Sequence, residues 1–262
     1  MNPFSKQLPK AAILDFDGTL STLRCGWEKV MRPLMLEMIN PAEPDDPKLG
    51  AEVDRYIDES TGIQTVYQMR WLAEQVKKRG ANPEQHDEWW YKDEYNRRLM
   101  CEVQNRIDSV ASGRVSPEHY LIRGSAAFLA MLRNAGISLY VASGTDDVNV
   151  RKEVEVLGLT SCFESILGAP YRQAACSKEA VIRRLMDEKG FSGESLLVIG
   201  DGKVEIGLGK AAGGRTIGVA SNEETRCGIN PVKEMRLKNA GADYIIGDYT
   251  DLGAIREWIG LQ

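Results

Sequence analysis

The sequence predicts an α/β fold, a Rossmann-like parallel-sheet core with helices on both faces and an inserted all-α cap. Three observations predict it. Short, purely apolar runs recur along the chain, as expected of strands buried on both faces. Helical segments lie between most of them, the rhythm of parallel βαβ units. Between about Ser21 and Tyr120 that rhythm stops, and no buried-strand run occurs.

The first strand is Ala11-Ala12-Ile13-Leu14, running into Asp15-Phe16-Asp17 and ended by Gly18. Further strands are expected at Ile137 to Ala142, Ser165 to Leu167, Leu196 to Ile199, Thr216 to Ala220 and Tyr244 to Ile246. Helices are expected at Ser125 to Asn134, stopping near Gly136, at Val148 to Leu157, stopped by Gly158, and at Lys178 to Lys189, stopped by Gly190, with Ser177 as N-cap. The stretch without strands is rich in helix formers and large aromatics, as in Trp89-Trp90-Tyr91. It is punctuated at Asn40-Pro41 to Pro47 and at Gly80 to Pro83. The expected organisation is therefore a core made of residues 1–20 and 121–262, with a helical insert at 21–120.

At 262 residues the chain is long enough for a sizeable core plus an insert. With 33 Lys and Arg against 38 Asp and Glu, the net charge of -5 gives no whole-chain case for binding nucleic acid or an anionic membrane. No apolar stretch approaches the roughly 20 residues needed to cross a bilayer. The five cysteines (25, 101, 162, 176 and 227) form no CxxC pair and read as reduced thiols, so a cytoplasmic location is expected.

Four features point to one chemistry. Asp15-Phe16-Asp17-Gly18-Thr19 leaves the first strand at its carboxyl end, where open parallel sheets bind ligands. One carboxylate there can attack phosphorus while the other handles protons. Ser143-Gly144 leaves the next core strand and offers a hydroxyl and a backbone N–H to a phosphoryl oxygen. Lys178 opens a helix, where its charge and the helix dipole both favour an anion. Asp201 closes the Leu196 to Ile199 strand, with Glu205 four residues on. Acids converging with Asp15 would repel one another unless a cation sat among them, and magnesium suits a few carboxylates plus shared waters. Alone, each feature is weak: DxD is common, Ser-Gly is an ordinary turn, and Lys178 could be a surface lysine. Their chain order is specific, each at a strand's carboxyl end or in the loop that follows.

On these residues the chain resembles the haloacid dehalogenase-like hydrolase superfamily, in its phosphatase branch with a helical C1-type cap. Asp15 and Asp17 match the first motif, Ser143 the second, Lys178 the third, and Asp201 with Glu205 the fourth. The resemblance covers roughly Lys10 to Thr19 and Gly124 to the C-terminus; the insert matches the cap by position. It implies that Asp15 forms an aspartyl-phosphate, and that Asp17 protonates the departing alcohol and then activates water. Ser143, Gly144 N–H and Lys178 would grip phosphoryl oxygens. Mg2+ would be held by Asp15, Asp201 and the backbone carbonyl of Asp17, with Glu205 orienting a metal-bound water or Asp201. An acid at Asp17 favours phosphate esters over C–halogen bonds, because an alkoxide needs a proton on leaving and a halide does not.

The sequence departs from the pattern at Ser21-Thr22-Leu23-Arg24, which lacks an Asp-Ser common in the family, at Arg123-Gly124, and at Glu205, where aspartate is commoner. Arg24, Trp27 and Arg123 are candidate contacts to the leaving group, with Lys29, Arg32, Tyr67 and Arg70 as further cap candidates. Trp71, Trp89 and Trp90 are expected to pack cap helices, and His86 and His119 to have no catalytic part. Cys176 reads as a bystander. The expected partner is a small-molecule phosphate ester, with no nucleic acid and no membrane, and the chain is expected to be a monomer or homodimer. A phosphomutase of the β-phosphoglucomutase type and a non-catalytic phospholigand-binding protein are the alternatives.

Overall fold

The computed structural model describes residues 8–174, 177–191 and 193–261, with Ser177 described by its backbone alone. The side chains of Cys176 and Ser177, and with them the expected N-cap, lie outside that description. Six strands form one sheet: β1 (Ala11–Leu14), β2 (Ser138–Asp146), β3 (Ser165–Ala169), β4 (Leu196–Gly200), β5 (Arg215–Val219) and β6 (Tyr244–Ile246). All pairs are parallel, in the order β3-β2-β1-β4-β5-β6. β1 is thus flanked by β2 on one side and β4 on the other. The direction of winding reverses at β1, and the loops after β1, β2 and β4 open a crevice at their carboxyl ends.

The strand side chains alternate between two apolar layers. Ala12, Leu14, Val141 and Ile199 face one side, with α5 (Ser125–Asn134), α6 (Asp147–Val156) and α10 (Leu252–Ile259). Ala11, Ile13, Ala142 and Val198 face the other, with α7 (Ser177–Lys189). On that second side, α8 (Lys203–Ala211) and α9 (Pro231–Asn239) close a smaller cluster through Ile206 and Leu237.

Between β1 and α5 run four helices: α1 (Glu28–Ile39), α2 (Pro47–Glu59), α3 (Thr65–Arg79) and α4 (Glu88–Ala111). Local chemistry sets their ends. Asp46 caps α2, whose first residue is Pro47; Gly80 ends α3 in a left-handed conformation; Asp87 caps α4. Trp71 stacks on Tyr56 across two of these helices, and Trp90 stacks on His86. The chain enters and leaves this bundle side by side: Thr22 N–H donates to Tyr120 O at 2.8 Å and Ile122 N–H to Leu20 O at 2.9 Å. Among the described residues no helix is long and apolar enough to cross a membrane.

The structure departs from the sequence reading in several places. β2 continues past Ala142 to Asp146, after a register shift against β3. β5 starts one residue earlier than expected, on the buried Arg215, whose Nη1 donates to Ile259 O at 2.9 Å. α9 and α10 were not expected, although α9 carries an Asn230 cap followed by Pro231 at its first position.

Candidate active site

Asp15 follows the last residue of β1, and its N–H donates to Ile199 O of β4 at 2.9 Å. The chain then turns at Gly18, whose φ of +70° suits glycine and whose missing Cβ leaves room for the Asp201 carboxylate. This turn brings Asp17 back to the same rim as Asp15, with Gly18 N–H held by Ser21 O at 2.8 Å. Leaving β2, Thr145 Oγ1 donates to Asp17 Oδ2 at 2.8 Å and Ser143 Oγ lies 3.5 Å from the same oxygen. From α7, Lys178 Nζ lies 3.3 Å from Asp15 Oδ1 and also pairs with Glu205 of α8. Asp15, Asp17, Ser143, Gly144, Lys178 and Asp201 line one cavity of about 100 Å³.

The helical bundle supplies the opposite wall. Arg24 and Trp27 line the cavity, as do Tyr95 of α4 and the Thr61-Gly62-Ile63 turn between α2 and α3. That turn presses on the core: Lys178 Nζ donates to Gly62 O at 3.3 Å, and a Cβ on Gly144 would come within 3.2 Å of Ile63 O. Arg24 is buried and donates to Glu153 of α6 through Nη2 at 2.6 Å, with its Nε 3.9 Å from Asp17 Oδ1. Burial disfavours the Arg24 charge, but Glu153 and Asp17 more than compensate and raise its pKa.

The acids are underpaired. Burial pushes Asp15 from 3.8 up to about 6; Lys178 opposes the shift, while Asp201 and Asp17 reinforce it. Burial likewise pushes Asp17 up to about 6, with Glu153 adding to the shift and Arg24 and Thr145 opposing it. Asp17 Oδ1 is buried with no hydrogen-bond partner. Hard oxygen donors, repelling carboxylates and an orphaned oxygen fit a divalent cation. Among the described residues no three His, Cys, Asp or Glu side chains form a ready-made cage, but magnesium asks for only one or two carboxylates plus waters.

Two expected residues stand apart from the cavity. Glu205 is buried behind it, its carboxylate taken up by Lys178 rather than presented at the rim. Arg123 is exposed and does not line the cavity; its backbone is held by Arg226 O, which accepts from its N–H at 2.9 Å, and by Tyr249 N–H, which donates to its carbonyl at 2.9 Å. Lys29, Arg32 and Arg70 form pairs with Glu224, Asp54 and Glu88 away from the cavity, and Tyr67 donates to Ala174 O. Thr145, Glu153, Glu223 and Lys233 are among the residues in or beside the site that went unread in the sequence. Thr145 directly follows the Ser143-Gly144 pair. The other three lie on helices or loops whose polar residues look like solvated faces.

With this geometry in hand, comparison decides the family. The profile described as "Hydrolase: haloacid dehalogenase-like hydrolase" matches residues 9–213. The chain is a member of the haloacid dehalogenase-like hydrolase family. It is 26% identical over 257 residues to a phosphoglycolate phosphatase of Rhodospirillum rubrum, covering 97% of this chain and 92% of that one. Among solved structures, the fold is similar to a β-phosphoglucomutase from Clostridium difficile (TM-score 0.65, 14% identity, 96% of this chain and 97% of that one). It is also similar to a predicted phosphatase from Clostridium acetobutylicum (TM-score 0.62, 19% identity, 96% of this chain and 100% of that one). In this family member, all four sequence features stand at the carboxyl end of the sheet or directly behind it.

Proposed function

We propose that this hydrolase is a Mg2+-dependent phosphatase for a small phosphate monoester, acting through an aspartyl-phosphate on Asp15. The observation that carries the reading is the grouping of Asp15, Asp17, Lys178 and Asp201 around one small cavity at the sheet's switch point. Phosphoryl transfer needs positioning and charge neutralisation above all. Asp15 attacks phosphorus and the P–O bond to the leaving group breaks. Asp17, whose raised pKa keeps a proton available near neutral pH, delivers that proton to the departing oxygen. The resulting Asp17 carboxylate then takes a proton from water as the water opens the phosphoaspartate. Lys178 and the Ser143–Gly144 turn hold phosphoryl oxygens, and Glu205 keeps the lysine in place. Mg2+ would lie against Asp15, Asp201 and the Asp17 carbonyl, and would supply further neutralisation of the phosphoryl charge.

The helices at 21–120 act in this reading as a cap domain over the core at 1–20 and 121–262, with Arg24 and Trp27 meeting the leaving group. The cavity's size supports a small metabolite, and the Rhodospirillum relative supports a short phosphorylated acid among the candidates. A cytoplasmic setting is part of the proposal, supported by five cysteines without a CxxC pair.

The test is p-nitrophenyl phosphate hydrolysis with Mg2+, with EDTA and in Asp15→Asn, followed by a panel of metabolite phosphates. Turnover with Mg2+ alone, absent from the variant, is expected. Hydrolysis persisting in Asp15→Asn would overturn the nucleophile, and an isomer in place of free phosphate would turn the reading to a mutase.

A further inference from the structure

Behind Asp201 lies a charge cluster that the reaction outlined above does not use. Lys233, in the first turn of α9, is nearly buried, and its ammonium lies 2.7 Å from Asp201 Oδ2 and 2.6 Å from Glu223 Oε1. Glu223, in the loop after β5, lines the cavity with Asp15, Asp17 and Asp201. A Cβ on Gly18 would meet Lys233 Nζ at 3.0 Å, so the ammonium lies directly behind the turn that carries Asp15 and Asp17. The placement of Lys233 is built in. Asn230 accepts from the N–H groups of Val232 and Lys233, and Pro231 fixes the first helical residue. The chain thus invests a cap, a proline and a buried ion pair in bringing one cation to the back of Asp201.

We propose that Lys233 is a tethered counter-cation that limits the affinity of the Asp15–Asp201 site for a divalent metal, and that Glu223 offsets part of its charge. The inference rests on the metal reading given under Proposed function. Three charges follow one rule here. Lys233 repels an incoming Mg2+ and occupies one oxygen of a carboxylate that would hold it. Glu223 attracts the metal and also draws the ammonium toward itself. In a buried, low-dielectric setting a unit charge near an ion is felt strongly and is little screened by salt. Removing the lysine should therefore tighten the metal site, and neutralising the glutamate should loosen it. Both residues act through Asp201 and the local field, which makes them positioning residues.

The experiment is calorimetric titration of Mg2+ alone into the full-length, EDTA-stripped and dialysed protein, with circular dichroism and a thermal melt on every variant. Lys233→Met is expected to bind Mg2+ about tenfold tighter or more, and Glu223→Gln about tenfold weaker. The double variant Lys233→Met/Glu223→Gln, with the wild-type net charge, is expected to fall between the two. Lys233→Gln is the second probe should Lys233→Met melt early. A merely structural pair would weaken binding in both single variants, and that result, or unchanged affinity in Lys233→Met and Lys233→Gln, overturns the inference while leaving the metal reading intact. No Mg2+ binding by the wild type would overturn the metal reading and the inference together.

Discussion

Charged residues at the carboxyl edge of the sheet and charged residues on the outer faces of α1 to α4 live under opposite rules. On the helices, Arg32 meets Asp54 at 2.6 Å, Arg79 meets Glu52 at 2.6 Å, and Arg98 reaches both Glu37 and Glu94, all at least partly open to solvent. Each of these acids has its base, and water screens much of what is left. At the sheet edge, Asp15, Asp17, Asp201 and Glu223 share the cavity wall with Arg24 and Lys178, and Lys233 lies just behind. Asp15 is buried and Asp17 partly so, and both are pushed up to about 6. Folding alone would not retain such an arrangement, because burying underpaired carboxylates costs stability. In the reading proposed above, the contrast separates charges kept for chemistry from charges kept for solubility.

The largest test of the contrast is catalytic. Asp15→Asn should lower kcat by roughly three orders of magnitude or more, because the attacking oxygen is replaced by an amide. Asp17→Asn should lose about 10²- to 10⁴-fold on alkyl phosphates and much less on p-nitrophenyl phosphate, whose leaving group departs without a proton. Asp17 also activates water in the second step, which both substrates share, so the comparison is made on kcat/KM, which reads only phosphoenzyme formation. Equal losses of kcat/KM on both substrates would remove Asp17 from the acid role. Exchanging Arg32 for Ala in the same assays should change nothing.

Next in size is a buried pair against exposed ones. Glu153 is fully buried, and Glu153→Gln leaves the Arg24 guanidinium with only Asp17 nearby. Breaking one partner of a buried pair costs about 3–5 kcal/mol, which urea denaturation would read directly. A loss under about 1 kcal/mol would place Arg24 and Glu153 with the surface pairs and blur the distinction.

How much of this was legible in the sequence follows the same line. Asp15, Ser143 and Asp201 were readable because each follows an apolar run, and a parallel sheet has only one edge where such residues can collect. Tyr244 to Ile246 and Ser125 to Asn134 were read to the residue, since a glycine or polar turn bounds each. Glu153, Glu223 and Lys233 were not readable. Each sits among other charged residues, and only the tertiary fold shows that its side chain points inward. The Thr61-Gly62-Ile63 turn is a different case: Ser60-Thr61-Gly62 carries a breaker signal that marks a turn, but its approach to Lys178 and Gly144 is a long-range fact that only the fold shows. Arg123 misled because a linker position is near the site in sequence but not in space.

A smaller effect comes from pH. Asp15 and Asp17 bind protons more tightly folded (about 6) than at their ordinary value of 3.8. A raised folded pKa stabilises the fold fully below the unfolded value, and that contribution is lost as pH climbs through the folded one. In EDTA the wild type should therefore lose stability between about pH 4 and pH 7 through these two groups. Asp15→Asn cannot ionise, so its slope should be shallower and its melting temperature at pH 7 higher, by something on the order of 2 kcal/mol in stability. A lower melting temperature for the variant at pH 7 would mean that Lys178 and its surroundings stabilise the carboxylate more than burial disfavours it.

The smallest expected effect lies on the helical side. Arg32 donates to Asp54 through two nitrogens, at 2.6 and 3.3 Å, and joins α1 to α2, so on geometry alone it looks as firm as the Arg24–Glu153 pair. Its side chain is 45% exposed and that of Asp54 53%, so both ions keep much of their hydration when the pair opens. Arg32→Ala should therefore cost no more than about 1 kcal/mol, and that cost should shrink further in 0.5 M salt, where roughly 4 Å of solution screens a charge. Glu153→Gln should keep its cost in the same salt, because no electrolyte reaches it. Parallel denaturation curves at low and high salt compare the two directly: if the Arg32 cost matched the Glu153 cost, or neither responded to salt, hydration would not be what separates the two regions.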